Sequence, residues 1–181
     1  MNAPNAISLA RFLCVPLVVW LIVSGRAQAA FAVFVVAGIS DAVDGFLAKR
    51  YGLTTALGEH LDAVADKSLI VAAYATMGIA GWLPAWLVIL VLFRDVMIVG
   101  GWLLLTAVAG PRRVRPAWSS KVNTAAQIVL AAAALAGQAF WPIPGWLATT
   151  LVGVVAATTV ISGIAYLRRG IAQAGELERL P

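Results

Sequence analysis

DAVDGFLAKRYGLTTALGEHLDAVADK, residues 41–67, is the stretch around which the rest of the chain is arranged. Its aspartates are four of the chain's eight acidic residues, and they stand in two pairs at the ends of apolar segments. Asp41 and Asp44 are three apart and Asp62 and Asp66 four apart, so on helices each pair shares a face. Asp41, Asp44, Gly45 and Ala48 follow the i, i+3, i+4, i+7 series, and Gly58, Asp62 and Asp66 follow i, i+4, i+8. Each helix thus sets carboxylates beside positions with almost no side chain, which leaves room for a large ligand to approach the backbone. Converging carboxylates repel one another and take up protons unless a cation compensates them. All-oxygen ligands point to Mg²⁺, Mn²⁺ or Ca²⁺. The plainer alternative is that these are interfacial residues, with Asp66 paired to Lys67 or Arg50.

The composition places this stretch in a membrane. Of the 181 residues, 62 % are hydrophobic and only 12 % are charged. The chain reads as one unit over 1–181, with no low-complexity linker and no internal repeat. Cys14 is the single cysteine and lies in an apolar run, so an intrachain disulfide is excluded. With His60 as the sole histidine, a zinc site is excluded in practice. Residues 1–6 carry no Lys or Arg, so the basic start of a signal peptide is missing.

Hydropathy predicts six spanning helices, over 8–24, 28–48, 58–79, 84–108, 118–140 and 146–166. Segments of about twenty residues match the thickness of a bilayer. Short turns are expected at Gly25-Arg26, 81–84 and 141–145, a loop at 51–57, and a basic loop at 111–116. Arg94 and Asp95 fall inside the fourth helix, where a charged pair is costly and marks a functional or pairing site. Ser120, Asn123, Thr124 and Gln127 make a polar stripe at i, i+3, i+4, i+7 on the fifth. Two roles fit that stripe, hydrogen bonding to neighbouring helices or lining a cavity.

Orientation follows from the cations. With the N-terminus in the cytoplasm, Lys49, Arg50, Arg112, Arg113, Arg115, Lys121, Arg168, Arg169 and Arg179 lie on that side, and Arg26 alone on the other. Both acidic pairs are then cytoplasmic, and the expected location is a multi-pass cell (inner) membrane protein with both termini in the cytoplasm. Cations distributed in this way suit anionic headgroups, and a nucleic-acid partner is not expected.

The spacing D-x2-D-G-x2-A-x9-G-x3-D-x3-D, carried by Asp41, Asp44, Gly45, Ala48, Gly58, Asp62 and Asp66, resembles the signature of the CDP-alcohol phosphatidyltransferases. Pro4, Asn5, Ser8 and Arg11 resemble the P-N-x-x-[ST]-x-x-R pattern at the start of that family's domain. One departure is visible: the family usually has Arg after the Ala, where this chain has Lys49 followed by Arg50. Lys lacks the bidentate fork of Arg, so its contact with a phosphate is a weaker one.

The resemblance implies an all-α membrane protein of six transmembrane helices with its active site at the cytoplasmic side. It implies that Asp41, Asp44, Asp62 and Asp66 ligate Mg²⁺ or Mn²⁺, two ions in all, and that Asp66 is also the general base. The CDP-linked lipid would lie against Gly45, Ala48 and Gly58, with Lys49 facing its phosphates and Asn5 nearby. CDP-diacylglycerol would be the donor, CMP the leaving group, and the enzyme a homodimer in the lipid bilayer.

The runs FRDVMIVGG, residues 93–101, and SKVNTAAQ, residues 120–127, are similar to those of the CMP-forming cardiolipin synthases, which implies phosphatidylglycerol as acceptor. Glycerol 3-phosphate, the acceptor of phosphatidylglycerophosphate synthases, is the alternative. Arg94, Lys121, Arg112, Arg113 and Arg115 are the cations that could hold the acceptor phosphate. A membrane cation transporter using intramembrane carboxylates is the remote alternative. Against it stand aspartates at helix ends and not at the midplane.

Overall fold

The computed structural model describes the backbone of residues 3–51, 56–109 and 118–177, and the side chains of residues 11–40, 67–101 and 118–171. Six helices account for the described backbone: α1 Ala3–Val23, α2 Ala27–Tyr51, α3 Ala56–Ile79, α4 Ala85–Ala109, α5 Trp118–Ala139 and α6 Gly145–Leu177. The all-helical expectation holds. Two boundaries differ by five residues or more, the others by three or fewer. Helix α1 begins at Ala3, five residues before the expected start, because Pro4 falls in its first turn, where a missing N–H costs nothing. It also runs unbroken through Pro16, which has no N–H to give to the Phe12 carbonyl. Helix α6 continues to Leu177, beyond the expected end at residue 166.

Two compact units divide the chain: residues 1–84 with 131–144, and residues 85–130 with 145–181. In the first, α1 packs against both α2 and α3. Ala30 and Ala73 are fully buried and let the helix axes come close, while Phe34, Tyr74 and Met77 fill the space between. Helices α1 and α3 end in the same way. Gly25 and Gly81 take φ of +68° and +75°, the left-handed conformation glycine adopts without steric cost. Arg26 N–H then bonds Leu21 O at 2.9 Å and Gly25 N–H bonds Ile22 O at 3.0 Å. At the end of α3, Trp82 N–H bonds Met77 O at 2.9 Å and Gly81 N–H bonds Gly78 O at 3.2 Å. Both are Schellman caps, and they reverse the chain within a few residues. After α5, a Cβ on Gly137 would lie 3.0 Å from Ile143 Cγ1, so glycine there lets the 141–144 turn fold back on the helix. Gln28 Nε2 donates to Ala139 O at 3.1 Å, satisfying a carbonyl at the helix end. Phe31 meets Phe140 edge to face at 5.5 Å.

In the second unit α4 packs against α6. Helix α4 shows how the faces are assigned. Leu87, Val91, Arg94 and Asp95 are buried, while Trp86, Ile89, Phe93 and Val96 stand exposed on the other face. Phe93 is 66 % exposed and Arg94 3 %. A chain that hides its charges and shows its large apolar residues is arranged for an apolar surrounding. Helices α5, over Trp118–Ala139, and α6, over Gly145–Ile171, are by length and composition able to cross a membrane. Trp141 and Trp146 are exposed beside the turn joining them, as aromatic anchors are at a membrane interface.

Candidate functional site

The acidic halves sit on helical backbone. Asp41, Asp44, Gly45, Ala48 and Lys49 belong to α2, and Gly58, Asp62 and Asp66 to α3. Their side chains, like that of Asn5 on α1, lie outside the described residues, and so does the whole segment holding Arg112, Arg113 and Arg115. What the backbone fixes is depth. Residues 52–55 join the end of α2 to the start of α3. Counted from those two ends, Asp44 and Asp62 lie seven and six residues in, and Asp41 and Asp66 both lie ten in. At 1.5 Å per residue the inner pair is about 10 Å and the outer pair about 15 Å along each helix. Both helices pack on α1, in the same unit. Each half of the motif thus lies a similar distance along its own helix, counted from the end of α2 and from the start of α3. Lys49 falls in the last turn of α2, where a cation is favoured by the helix dipole.

A second polar constellation lies within the unit of α4, α6 and the first part of α5. Arg94 Nη1 donates to Asp95 Oδ1 at 2.7 Å. Arg94 Nη2 donates to Ser120 Oγ on α5 at 2.8 Å and to Ser162 Oγ on α6. Arg94 and Asp95 are both buried, at 3 % and 5 % exposure. Gly163 packs beside this arginine: a Cβ there would stand in ordinary contact with Met97 Cε at 3.6 Å and Arg94 Cγ at 3.8 Å. One turn further along α5, Asn123 Oδ1 accepts from Thr158 Oγ1 and from Thr159 Oγ1, each at 2.9 Å. Asn123 and Gln127 are fully buried. The stripe on α5 therefore meets a matching polar row, Thr158, Thr159 and Ser162, on α6. Of the two roles open to the stripe, Ser120 and Asn123 take the first, bonding to neighbouring helices. The sequence carried a signal for the α6 partners: a Thr-Thr pair and a Ser spaced i, i+1, i+4 in an apolar helix. The periodicity of α5 alone could not find it.

Of the cations expected at an acceptor, Lys121 is exposed, and it directly follows Ser120 in the first turn of α5. Burial of Arg94 is accounted for by its bonds to Asp95, Ser120 and Ser162; its Nε is buried and has no hydrogen-bond partner among the described residues. In the other unit, Arg11 is buried at 3 % exposure, and Arg26 lies over the Trp20 ring at 5.2 Å.

The family model for CDP-alcohol phosphatidyltransferase matches residues 1–163. A probable phosphatidylglycerophosphate synthase of Mycobacterium tuberculosis is 32 % identical, over 98 % of this chain and 86 % of that protein. The chloroplastic CDP-diacylglycerol--glycerol-3-phosphate 3-phosphatidyltransferase 1 of Oryza sativa is 34 % identical over 92 % of this chain, and the human CMP-forming cardiolipin synthase 34 % over 76 %. The chain spans only 56 % of the rice protein and 51 % of the human one. With the aspartate signature on α2 and α3 and a match over nearly its whole length, the chain belongs to the CDP-alcohol phosphatidyltransferase family.

Proposed function

We propose that this chain transfers a phosphatidyl group from CDP-diacylglycerol to an alcohol, with CMP leaving, at a divalent-metal site formed by Asp41, Asp44, Asp62 and Asp66. The observation that supports this most strongly is the aspartate spacing on two helices, within a family match over residues 1–163. A set of four carboxylates suits hard cations, and two Mg²⁺ or Mn²⁺ ions are the proposed occupants. When bound, they neutralise the diphosphate and stabilise the charge that develops on the leaving phosphate. Gly45, Ala48 and Gly58 leave the backbone open to the nucleotide, and Lys49 faces its phosphates. Asp66 takes the proton from the attacking hydroxyl, so that oxygen attacks the phosphatidyl phosphorus as the bond to CMP breaks. The six helices span a cell membrane, with both termini and both acidic pairs at the cytoplasmic face. The exposed apolar face of α4 and the one-sided distribution of cations support that topology. A homodimer belongs to the same reading.

Phosphatidylglycerol is the proposed acceptor, giving cardiolipin; its support is the similarity of residues 93–101 and 120–127 to cardiolipin synthases, together with the human relative. Glycerol 3-phosphate is the second reading, favoured by the near full-length similarity to the mycobacterial protein. A lipid acceptor brings one phosphodiester charge at the membrane surface. A soluble dianion needs more converging cations, which Lys121 with Arg112, Arg113 and Arg115 could supply. Purified protein given CDP-diacylglycerol and each acceptor in turn decides between them. Cardiolipin from phosphatidylglycerol is the expected product. Phosphatidylglycerophosphate without cardiolipin would overturn the acceptor and leave the phosphatidyl transfer standing.

A further inference from the structure

We propose that Arg94 is a positioning residue: it ties the first turn of α5 to α4 and α6, and thereby sets where Lys121 stands for the acceptor phosphate. The proposal rests on the acceptor reading of Lys121 given above. The first turn of a helix is its least constrained part, because its N–H groups have no intrahelical partner. Helix α5 begins at Trp118, so Ser120 and Lys121 both lie in that turn. From α4, Arg94 Nη2 reaches Ser120 Oγ at 2.8 Å, and the same nitrogen also donates to Ser162 Oγ on α6. Nη1 is occupied by Asp95 Oδ1 at 2.7 Å. The guanidinium is thus shared among three helices, and at 3 % exposure it is withdrawn from any ligand outside. Lys121 is its opposite: exposed, and one residue along from the tethered serine. Hydrogen bonds to a charged group are the stronger kind, and this one is part-buried. Arginine is required by shape, because only the planar fork holds Asp95 with one nitrogen and two hydroxyls with the other.

The test uses the full-length protein in lipid nanodiscs, with the variants Ser120→Ala, Arg94→Met, Arg94→Lys and the double variant Ser120→Ala/Arg94→Met. Ser120→Ala removes a single hydroxyl, so it remains informative if Arg94→Met fails to fold. Backbone amide exchange over residues 122–125, whose N–H groups bond the carbonyls of the first turn, should quicken about tenfold in Ser120→Ala, the factor for one hydrogen bond to a charged group. Arg94→Met should match it, the double variant should add nothing, and Arg94→Lys should not restore protection. In assays with the acceptor that the parent protein uses, the same variants should raise KM for the acceptor and leave KM for CDP-diacylglycerol unchanged. Unaltered exchange in Ser120→Ala overturns the tie. So does an acceptor KM that Arg94→Lys restores and Ser120→Ala leaves alone, since that pattern marks direct contact with the phosphate. If no alcohol acceptor is used at all, the functional reading fails, while the exchange measurement still decides whether the tie exists.

Discussion

Asp66 is the residue at which ligand and base are to be told apart. A carboxylate that only holds a metal and one that also takes a proton respond differently to the same change. In Asp66→Asn the amide keeps the size and one oxygen but cannot accept the hydroxyl proton. Transfer should fall by about 10²–10⁴-fold, the usual contribution of a positioned base, with binding of CDP-diacylglycerol largely kept. Equilibrium binding of the nucleotide lipid beside single-turnover rates is the measurement. Loss of binding as complete as in Asp41→Asn would make Asp66 chiefly a ligand. At the same scale, Lys49 stands where the family usually has Arg. A point charge contacts a phosphate without the bidentate geometry, which leaves the neighbouring Arg50 as the other available cation.

At the scale of elements, α5 and α6 carry a polar seam, and the magnitude of its bonds decides how it is to be read. Interhelical hydrogen bonds inside membranes average about 0.6 kcal/mol each. Asn123→Ala removes the acceptor shared by Thr158 and Thr159, although Thr158 keeps Val154 O at 2.8 Å. Stability should fall by about 1–2 kcal/mol, counting both bonds and the small void left behind. Unfolding titrations in detergent check this. A variant that kept its stability and lost activity would mean that Asn123 lines a site. The helices themselves were largely legible in the sequence, because apolar runs bounded by Gly25, Gly81 and the Pro142–Pro144 turn leave few other assignments. The end of α6 was not. The expected end at Tyr166 marks where a helix would leave the bilayer, whereas Arg168 and the residues after it continue the helix to Leu177. That the aspartates fall on two helices, three and four residues apart, could be read from the sequence. That Arg94 is bonded to Ser162 could not, since a contact between residues 68 positions apart depends on which helix faces lie together.

For the whole molecule the decisive feature is the inversion of polarity, with Arg94, Asp95, Asn123 and Gln127 inside and Trp86, Phe93 and Val96 outside. Such a chain keeps its charge for internal ties and, in the topology proposed above, for the membrane edge; the aspartates of α2 and α3 lie about 10–15 Å along their helices, counted from the end of α2 and the start of α3. The cations expected on that side suit it to a substrate that is itself an anionic lipid. The claim on which this account turns is metal-dependent cleavage of a CDP-linked lipid at the four aspartates. Release of CMP from CDP-diacylglycerol by purified protein, supplied with both acceptors, measures it directly. Release should require Mg²⁺ or Mn²⁺, stop with a chelator, and be lost in Asp41→Asn, Asp44→Asn and Asp62→Asn while each variant still folds. CMP release at the parent rate from any of those three variants would contradict the account.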